Sequence, residues 1–364
     1  MKLTVSKELL VASLRRVLNV VSARTTLPIL NNILLETAGD KLILTGTDLE
    51  VSIRTEIPVT VVEPGTITIL AKKFGQIVSA LPDGEVTLET DKDNRVRISC
   101  KKSNFNIVGM DSVEFPRENP IENGWSFTTT CGDFRKNLAK VSYAASPDES
   151  RRVLNGILLS LRQGMLTMAA TDGRRLALVE KPLTGGSTGE EGDVILPPKV
   201  VAELQKLGES SDELVVQLTD RKAAFKAGGT VVTSKLVEGN YPNYRQVIPA
   251  KFTASAIIPR EEFQTVLNRV SMVVSETSSS IKMKLEKALV TVNAVSSEFG
   301  ESSEPLEVSY EGREVQIAFN PVFLADPLKH LEADQIVLEF NDEYSPMKIS
   351  GDEGFLYIIM PMRV

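Results

Sequence analysis

The chain is poor in the residues that build catalytic and redox sites. Its 364 residues include one histidine and two cysteines. His330 has no neighbour at metal-ligand spacing, and Cys100 and Cys131 form no Cys-x-x-Cys pair. Neither a zinc site nor a disulfide framework is therefore expected, and the thiols read as reduced packing residues. Aromatic residues are only 5% of the chain, so aliphatic and β-branched side chains must fill its cores. No apolar run approaches the roughly 18 residues that span a bilayer. The start, Met1-Lys2-Leu3-Thr4-Val5, lacks the apolar stretch and cleavage site of a signal peptide, so a cytoplasmic protein without membrane attachment is expected. Gly185-Gly186-Ser187-Thr188-Gly189 lacks the Gly-Lys-Ser/Thr of a phosphate loop and reads as a surface turn. No cofactor and no metal are expected. An enzyme finds little support, although a general base could hide among the 48 acidic residues.

Basic surplus is also missing. The formal charge is −7, and a net negative surface repels nucleic acid at long range. How the charge is distributed matters more than its sum, and a repeat makes the distribution readable.

Leu10, Leu14, Val17 and Val21 form one apolar helix face. The same spacing returns as Phe134, Leu138, Val141 and Ala145, and again as Phe263, Leu267, Val270 and Val274. Leu30-Asn31-Asn32-Ile33-Leu34-Leu35 answers to Leu154-Asn155-Gly156-Ile157-Leu158-Leu159, and Thr47-Asp48 to Thr171-Asp172. Ile69-Leu70-Ala71-Lys72-Lys73 matches Ile195-Leu196-Pro197-Pro198-Lys199 and, more loosely, Ala318-Phe319-Asn320-Pro321-Val322, each opening a second helix. A period near 124 is domain-sized, which predicts three similar α+β domains at residues 1–123, 124–251 and 252–364. Each reads as strand, helix, several strands, a second helix, then more strands. Lys41-Leu42-Ile43-Leu44-Thr45, Val86-Thr87-Leu88-Glu89, Val215-Val216-Gln217-Leu218 and Leu289-Val290-Thr291-Val292 alternate as half-buried strands do. The first helices are expected to start by different devices: Ser6 as N-cap, Thr130 with Asp133 as a capping box, and Pro259 at the first helical position.

Arg16 falls roughly 130° from the apolar stripe on a helical wheel, and its counterparts are Lys140 and Arg269. One position is thus basic in all three copies and expected to point away from the core. Arg15, Arg135, Lys136 and Arg260 add to the first helices, and Lys72, Lys73, Lys199, Lys206 and Lys329 to the second. Each could be an ordinary solvated face. Three equivalent positions favour helices sharing one basic, concave side that attracts phosphates without reading bases.

At six segments the chain resembles the bacterial sliding clamps, the beta subunits of DNA polymerase III. They are Arg24-Thr25-Thr26-Leu27-Pro28-Ile29-Leu30, Thr45-Gly46-Thr47-Asp48-Leu49-Glu50, Ala170-Thr171-Asp172-Gly173-Arg174-Arg175-Leu176-Ala177, Thr233-Ser234-Lys235-Leu236-Val237-Glu238-Gly239, Tyr241-Pro242-Asn243-Tyr244-Arg245 and Met360-Pro361-Met362-Arg363-Val364. The resemblance runs the length of the chain. It implies a non-catalytic, head-to-tail homodimer, ring-shaped, with helices lining the hole and sheets outside. Such a ring encircles duplex DNA without sequence preference. It tethers the replicative polymerase, is opened by a clamp loader, and serves other polymerases and repair proteins.

The resemblance also implies sites. One wall of a partner-peptide cleft is Leu154, Thr171, Gly173, Arg174, Arg175, Leu176, Pro242 and Val247; the other is the tail through Ile359, Met360, Pro361, Met362, Arg363 and Val364. Flexible methionine thioethers suit varied ligands, and Arg363 suits an acidic group. In this family His more often stands at Arg174 and a small polar residue at Pro346. Arg24 and Arg151 match loop positions that touch the duplex, joining Arg16, Lys140, Arg269, Lys73 and Lys199; Arg152 and Val153 replace frequent tyrosines. For the shared aspartates Asp48 and Asp172 a turn role is the simpler reading. For dimer closure, Arg95, Arg97, Lys101 and Lys102 crowd the first domain while Glu298, Glu301 and Glu304 crowd the third. By resemblance Phe105 meets Val273 and Val274 across that junction. A repeat scaffold that binds proteins but not DNA is the remaining rival.

Overall fold

The computed structural model describes all residues except 23–26, 120, 122–123, 184, 189–190, 276–279, 311 and 364. One order of elements occurs three times. In the first copy β1 (Lys2–Ser6) leads into α1 (Lys7–Leu18), then β2 (Asn32–Ala38), β3 (Lys41–Thr47), β4 (Val51–Pro58), β5 (Thr60–Glu63), β6 (Thr66–Leu70), α2 (Ala71–Ala80), β7 (Glu85–Thr90), β8 (Arg95–Cys100) and β9 (Ser103–Met110). The second has β10 (Trp125–Thr130), α3 (Cys131–Ser142), a short α4 (Arg152–Asn155), β11 (Ile157–Arg162), β12 (Met165–Thr171), β13 (Arg175–Pro182), β14 (Ser187–Thr188), β15 (Gly192–Leu196), α5 (Pro198–Leu204), β16 (Glu213–Leu218), β17 (Lys222–Ala227) and β18 (Thr230–Lys235). The third has β19 (Ala254–Pro259), α6 (Arg260–Val270), β20 (Ile281–Glu286), β21 (Leu289–Ser296), β22 (Gly300–Glu307), β23 (Ser309–Tyr310), β24 (Val315–Phe319), α7 (Pro321–Leu328), β25 (Gln335–Phe340), β26 (Met347–Ser350) and β27 (Phe355–Ile359).

The expected apolar helix face is buried. Leu10, Leu14 and Val17 of α1 are shielded from solvent, as are Phe134, Leu138 and Val141 and then Phe263, Leu267 and Val270. Each such side chain contributes on the order of 2 kcal/mol by leaving water. Gly46 lets α1 lie close on β3, since a Cβ there would stand 2.7 Å from a Val17 methyl.

Two of the helix starts differ from expectation. Ser6 is the N-cap residue but makes no side-chain cap bond, and Pro259 lies one residue ahead of α6, at its N-cap. All three copies share a further device, a backbone carbonyl from the loop before a later strand. Lys7 N donates to Gly84 O at 3.0 Å, Cys131 N to Asp212 O at 2.9 Å and Arg260 N to Asp334 O at 2.9 Å. Each satisfies an N–H that a helix start leaves unpartnered. The Gly185–Thr188 stretch is also more than a turn, because Ser187 and Thr188 pair with Phe127 and Ser126.

Contacts divide the chain into two units, residues 1–132 with 184–190 and 202–236, and residues 133–183 with 191–201 and 237–364. Each is built on strand pairing across a boundary between copies. In the first unit β4 pairs antiparallel with β18, from Thr55↔Thr230 to Val51↔Ser234. Among the described residues this joins fourteen strands in the order β14-β10-β16-β17-β18-β4-β3-β2-β6-β9-β8-β7-β1-β5. In the second unit β13 pairs with β27, from Val179↔Phe355 to Arg175↔Ile359. That joins β15-β11-β12-β13-β27-β26-β25-β19-β23, beside a separate sheet β22-β21-β20-β24. No helix among the described residues is long and apolar enough to cross a membrane.

Candidate functional site

The second unit gathers the expected cleft around the turn between β12 and β13. Gly173 has φ +91°, a region that costs an L-residue energy and that glycine enters freely. Asp172 Oδ1 accepts the N–H groups of Arg174 at 2.8 Å and Arg175 at 3.1 Å, and Thr171 Oγ1 accepts Gly173 N–H at 3.0 Å. The first copy has the same turn: Asp48 Oδ1 accepts from Glu50 and Val51, Thr47 Oγ1 accepts from Leu49, and Leu49 has φ 74°. Both aspartates are turn residues, as their presence in two copies suggested.

Arg175 departs from expectation. It is buried, and every face of its guanidinium is engaged inside the protein. Nε donates to Asp172 at 3.0 Å, one terminal nitrogen to Asp326 at 2.7 Å, and the other to the Tyr143 carbonyl at 2.6 Å. The group lies 4.2 Å from the centre of the Phe323 ring. Arg175 therefore anchors the turn to α7 rather than offering charge to a ligand. Its surroundings are dry: burial pushes the Tyr143 and Tyr357 hydroxyls up and holds His330, stacked on Tyr143, below its ordinary value.

Two further wall residues lie deeper than expected. Leu176 is 1% exposed and Ile359 is 0% exposed, because both lie in paired central strands. Leu176 belongs to an apolar cluster with Leu158, Ala169, Leu178 and Ile358, roofed by Tyr241, Tyr244 and Ile248. These three roof residues were not anticipated as site elements. The signal was present, since Tyr241-Pro242 repeats Phe115-Pro116. Tyr241 Oη accepts the Thr171 N–H at 3.1 Å, and burial pushes its hydroxyl up.

What remains open to a partner surrounds the turn. Arg174 and Gly173 are exposed, Leu154 and Thr171 half-buried and Pro242 exposed, with Val247 50% exposed. Arg151 reaches over the turn, donating to Asp172 O at 2.8 Å. The tail extends from β27, with Met360 N donating to Arg174 O at 2.9 Å and Met362 N to Ala318 O at 2.7 Å. Met360 is 41% exposed, Pro361 and Met362 are half-buried and Arg363 is exposed; Val364 lies outside the described residues. Apolar side chains beside exposed arginines on a well-ordered turn can receive an extended peptide with apolar anchors and an acidic group.

The expected phosphate-facing residues divide. Arg16, Lys73, Lys199 and Arg151 are exposed, and Arg24 lies outside the described residues. Arg269 is exposed but grips Glu304 through Nε at 2.8 Å. Lys140 must be corrected: it is 8% exposed and pairs with Asp352 at 2.5 Å. Asp352 also accepts N–H groups from Glu332 and Ala333. Burial pushes its carboxyl up, but Lys140 and those N–H groups outweigh this and hold it below its ordinary value. Arg260 is likewise structural, donating to Ala333 O at 2.8 Å and Leu328 O at 3.3 Å. A helical wheel shows an angle, whereas burial depends on what packs against it.

At the strand edges, β22 pairs only with β21 among the described residues, and β9 pairs with β8 and, through Gly109 and Met110, with β6. Phe105 is exposed on β9, Glu301 on β22 and Arg95 on β8; Lys102 and Glu298 are exposed, and Val273, Val274 and Glu304 half-buried. Among the described residues no cluster of three or more His, Cys, Asp or Glu could hold a metal ion.

Residues 1–119, 130–243 and 245–363 match the N-terminal, central and C-terminal domains of the DNA polymerase III beta subunit. The beta sliding clamp of Caulobacter vibrioides is 34% identical over 373 residues, covering all of both chains. That of Bacillus subtilis is 32% identical over 378 residues, again covering both completely. The DNA polymerase III subunit beta of Pseudomonas aeruginosa superposes over both whole chains with a TM-score of 0.95 at 29% identity. A Pseudomonas aeruginosa sliding clamp bound to griselimycin also gives 0.95 at 29%, with both chains fully covered.

Proposed function

The chain belongs to the family of DNA polymerase III beta subunits, the bacterial sliding clamps, and from that membership we propose that it closes as a head-to-tail homodimer around duplex DNA. The carrying observation is the repeated strand junction. The β4-type strand of one copy pairs with the last strand of the next at β4/β18 and again at β13/β27. Among the described residues one such pair is left unmatched, β22 of the third copy and the outer edge of β9 in the first. An open edge is a template for pairing, and the basic β8–β9 end complements the acidic β22 end. A second copy satisfies both of these edges head to tail. The domains run over 1–123, 124–251 and 252–364.

Arg24, Arg16, Arg151, Lys73 and Lys199 face the duplex in this reading. Their contacts are to phosphates and are sequence-independent, so they weaken steeply with salt. Retention comes from topology instead. The cleft around the 171–175 turn and the tail holds peptide segments of the replicative polymerase, the clamp loader, other polymerases and repair proteins. Processivity follows because a tethered polymerase that lets go rebinds before it diffuses away. The protein acts in the cytoplasm and catalyses no reaction.

The test is retention on nicked circular DNA in high salt after loading by a functional clamp loader with ATP. Protein that stays on the circle and leaves once the circle is linearised supports the ring. Equal loss from circular and linear DNA sinks it and favours a protein-binding scaffold.

A further inference from the structure

The two junctions within the chain carry opposite side chains at equivalent register. At β13/β27 the layer beneath the roof is Leu176, Leu178, Ala169 and Ile358. At β4/β18 the same positions hold Ser52, Arg54, Thr45 and Thr233. The roof changes too: Phe115-Pro116 stands for Tyr241-Pro242 and Glu118 for Tyr244. Phe115 is buried against Ile29, Leu30 and Leu34, but the smaller, polar floor beyond it leaves a groove of 510 Å³. Ile121 lines this groove where Val247 lines the rim of the other.

Its charge points to an occupant. Glu36 is held by Arg117 at 3.0 Å and Glu118 by Lys222 at 3.1 Å. Among the described residues Arg54 and Lys226 have no ion-pair partner; Glu56, which senses both, is tied to Lys41 at 2.7 Å. Arg54 and Lys226 both stand opposite Val231, so their backbones are two strand spacings, about 10 Å, apart. An extended peptide rises about 3.4 Å per residue, which puts carboxylates two or three positions apart within reach of these long side chains. Glu36 and Glu118 also line the groove, and they would repel a continuous run of phosphates. We infer that this groove is a second docking site, for an extended protein segment carrying two closely spaced acidic residues.

The test uses the full chain and a fluorescein-labelled peptide, Gly-Thr-Glu-Val-Glu-Ser-Gly, read by fluorescence anisotropy at low ionic strength. Saturable binding is expected, weakened about tenfold or more by changing both peptide glutamates to glutamine, and equally by Arg54→Gln with Lys226→Gln. Both protein positions are exposed, and an unchanged thermal unfolding curve shows that the fold is intact. Ser52→Leu with Thr233→Ile, which copies the packed junction, is expected to abolish binding. No saturable binding to the parent chain, or equal binding to the doubly neutralised variant, overturns the proposal. So does tighter binding of a labelled oligothymidylate that the same variant abolishes, since the groove would then read phosphates. Displacement by an apolar peptide that binds at Met360 and Met362 also overturns it, because the acidic peptide would then sit in the other cleft.

Discussion

The β13/β27 junction is closed by leucine, alanine and isoleucine, and the β4/β18 junction by serine, threonine and arginine, yet both ladders pair five residues with five. Backbone hydrogen bonds set the geometry of a junction, and the side chains standing on it are free to diverge. In one place they form an apolar floor roofed by tyrosines, with a cavity of 460 Å³ beside the roof at Leu158, Tyr241 and Tyr244. In the other they leave a polar groove. The turns beside the junctions divide the same way, with Leu49-Glu50-Val51 at one and Gly173-Arg174-Arg175 at the other. One architecture thus carries two surfaces of different chemistry.

The largest expected effect concerns the third junction, the one proposed between two copies. Phe105→Asp with Val274→Asp would place carboxylates in the proposed apolar contact, each costing several kcal/mol unless paired. Analytical ultracentrifugation should find monomers, and an unchanged dimer mass would remove this interface from the proposal. Within the chain, Arg175→Ala strands Asp172 without its cation and leaves Asp326 only the exposed Lys329, and should cost about 3–5 kcal/mol in urea unfolding. Val51→Ala, the equivalent change at the other junction, should cost about 1–2 kcal/mol. If the two prove equal, Arg175 is not the anchor described.

Exchanging floor residues sharpens the comparison further. Leu176→Ser should cost about 3 kcal/mol, through lost burial and an added hydroxyl. Ser52→Leu should stay within about 1 kcal/mol of the parent, because space is already there. A comparable loss from both would mean that the first junction is as tightly packed as the second. The smallest effect is in the pH dependence. Folding holds Asp352 below the ordinary 3.8, so its contribution is complete above the unfolded value and is lost as pH falls through the folded one. The stability gap between the parent and Asp352→Asn should therefore be constant above about pH 5 and close below 3.8.

The repeat made much of this legible. The apolar face through Leu10, Leu14 and Val17 needs only helical periodicity, and the Thr-Asp turn needs only its own side chains to cap it. Phe115-Pro116 and Tyr241-Pro242 were equally readable and would have pointed to the roof. The starts at Ser6 and Pro259 were only partly read, because the first N–H groups of the helices meet carbonyls of Gly84, Asp212 and Asp334, distant in sequence. Local pattern held no sign of them.

The sequence by itself determined the threefold repeat, the α+β order of each copy, the faces its helices bury and the tight turns, because these follow from periodicity and from bonds between near neighbours. Only the tertiary structure decided that Lys140 and Arg175 are buried anchors while Arg54 and Lys226 stand exposed. A charge has the same intrinsic chemistry wherever it occurs, but its role depends on the carboxylates and apolar groups that folding brings beside it, and those come from distant parts of the chain.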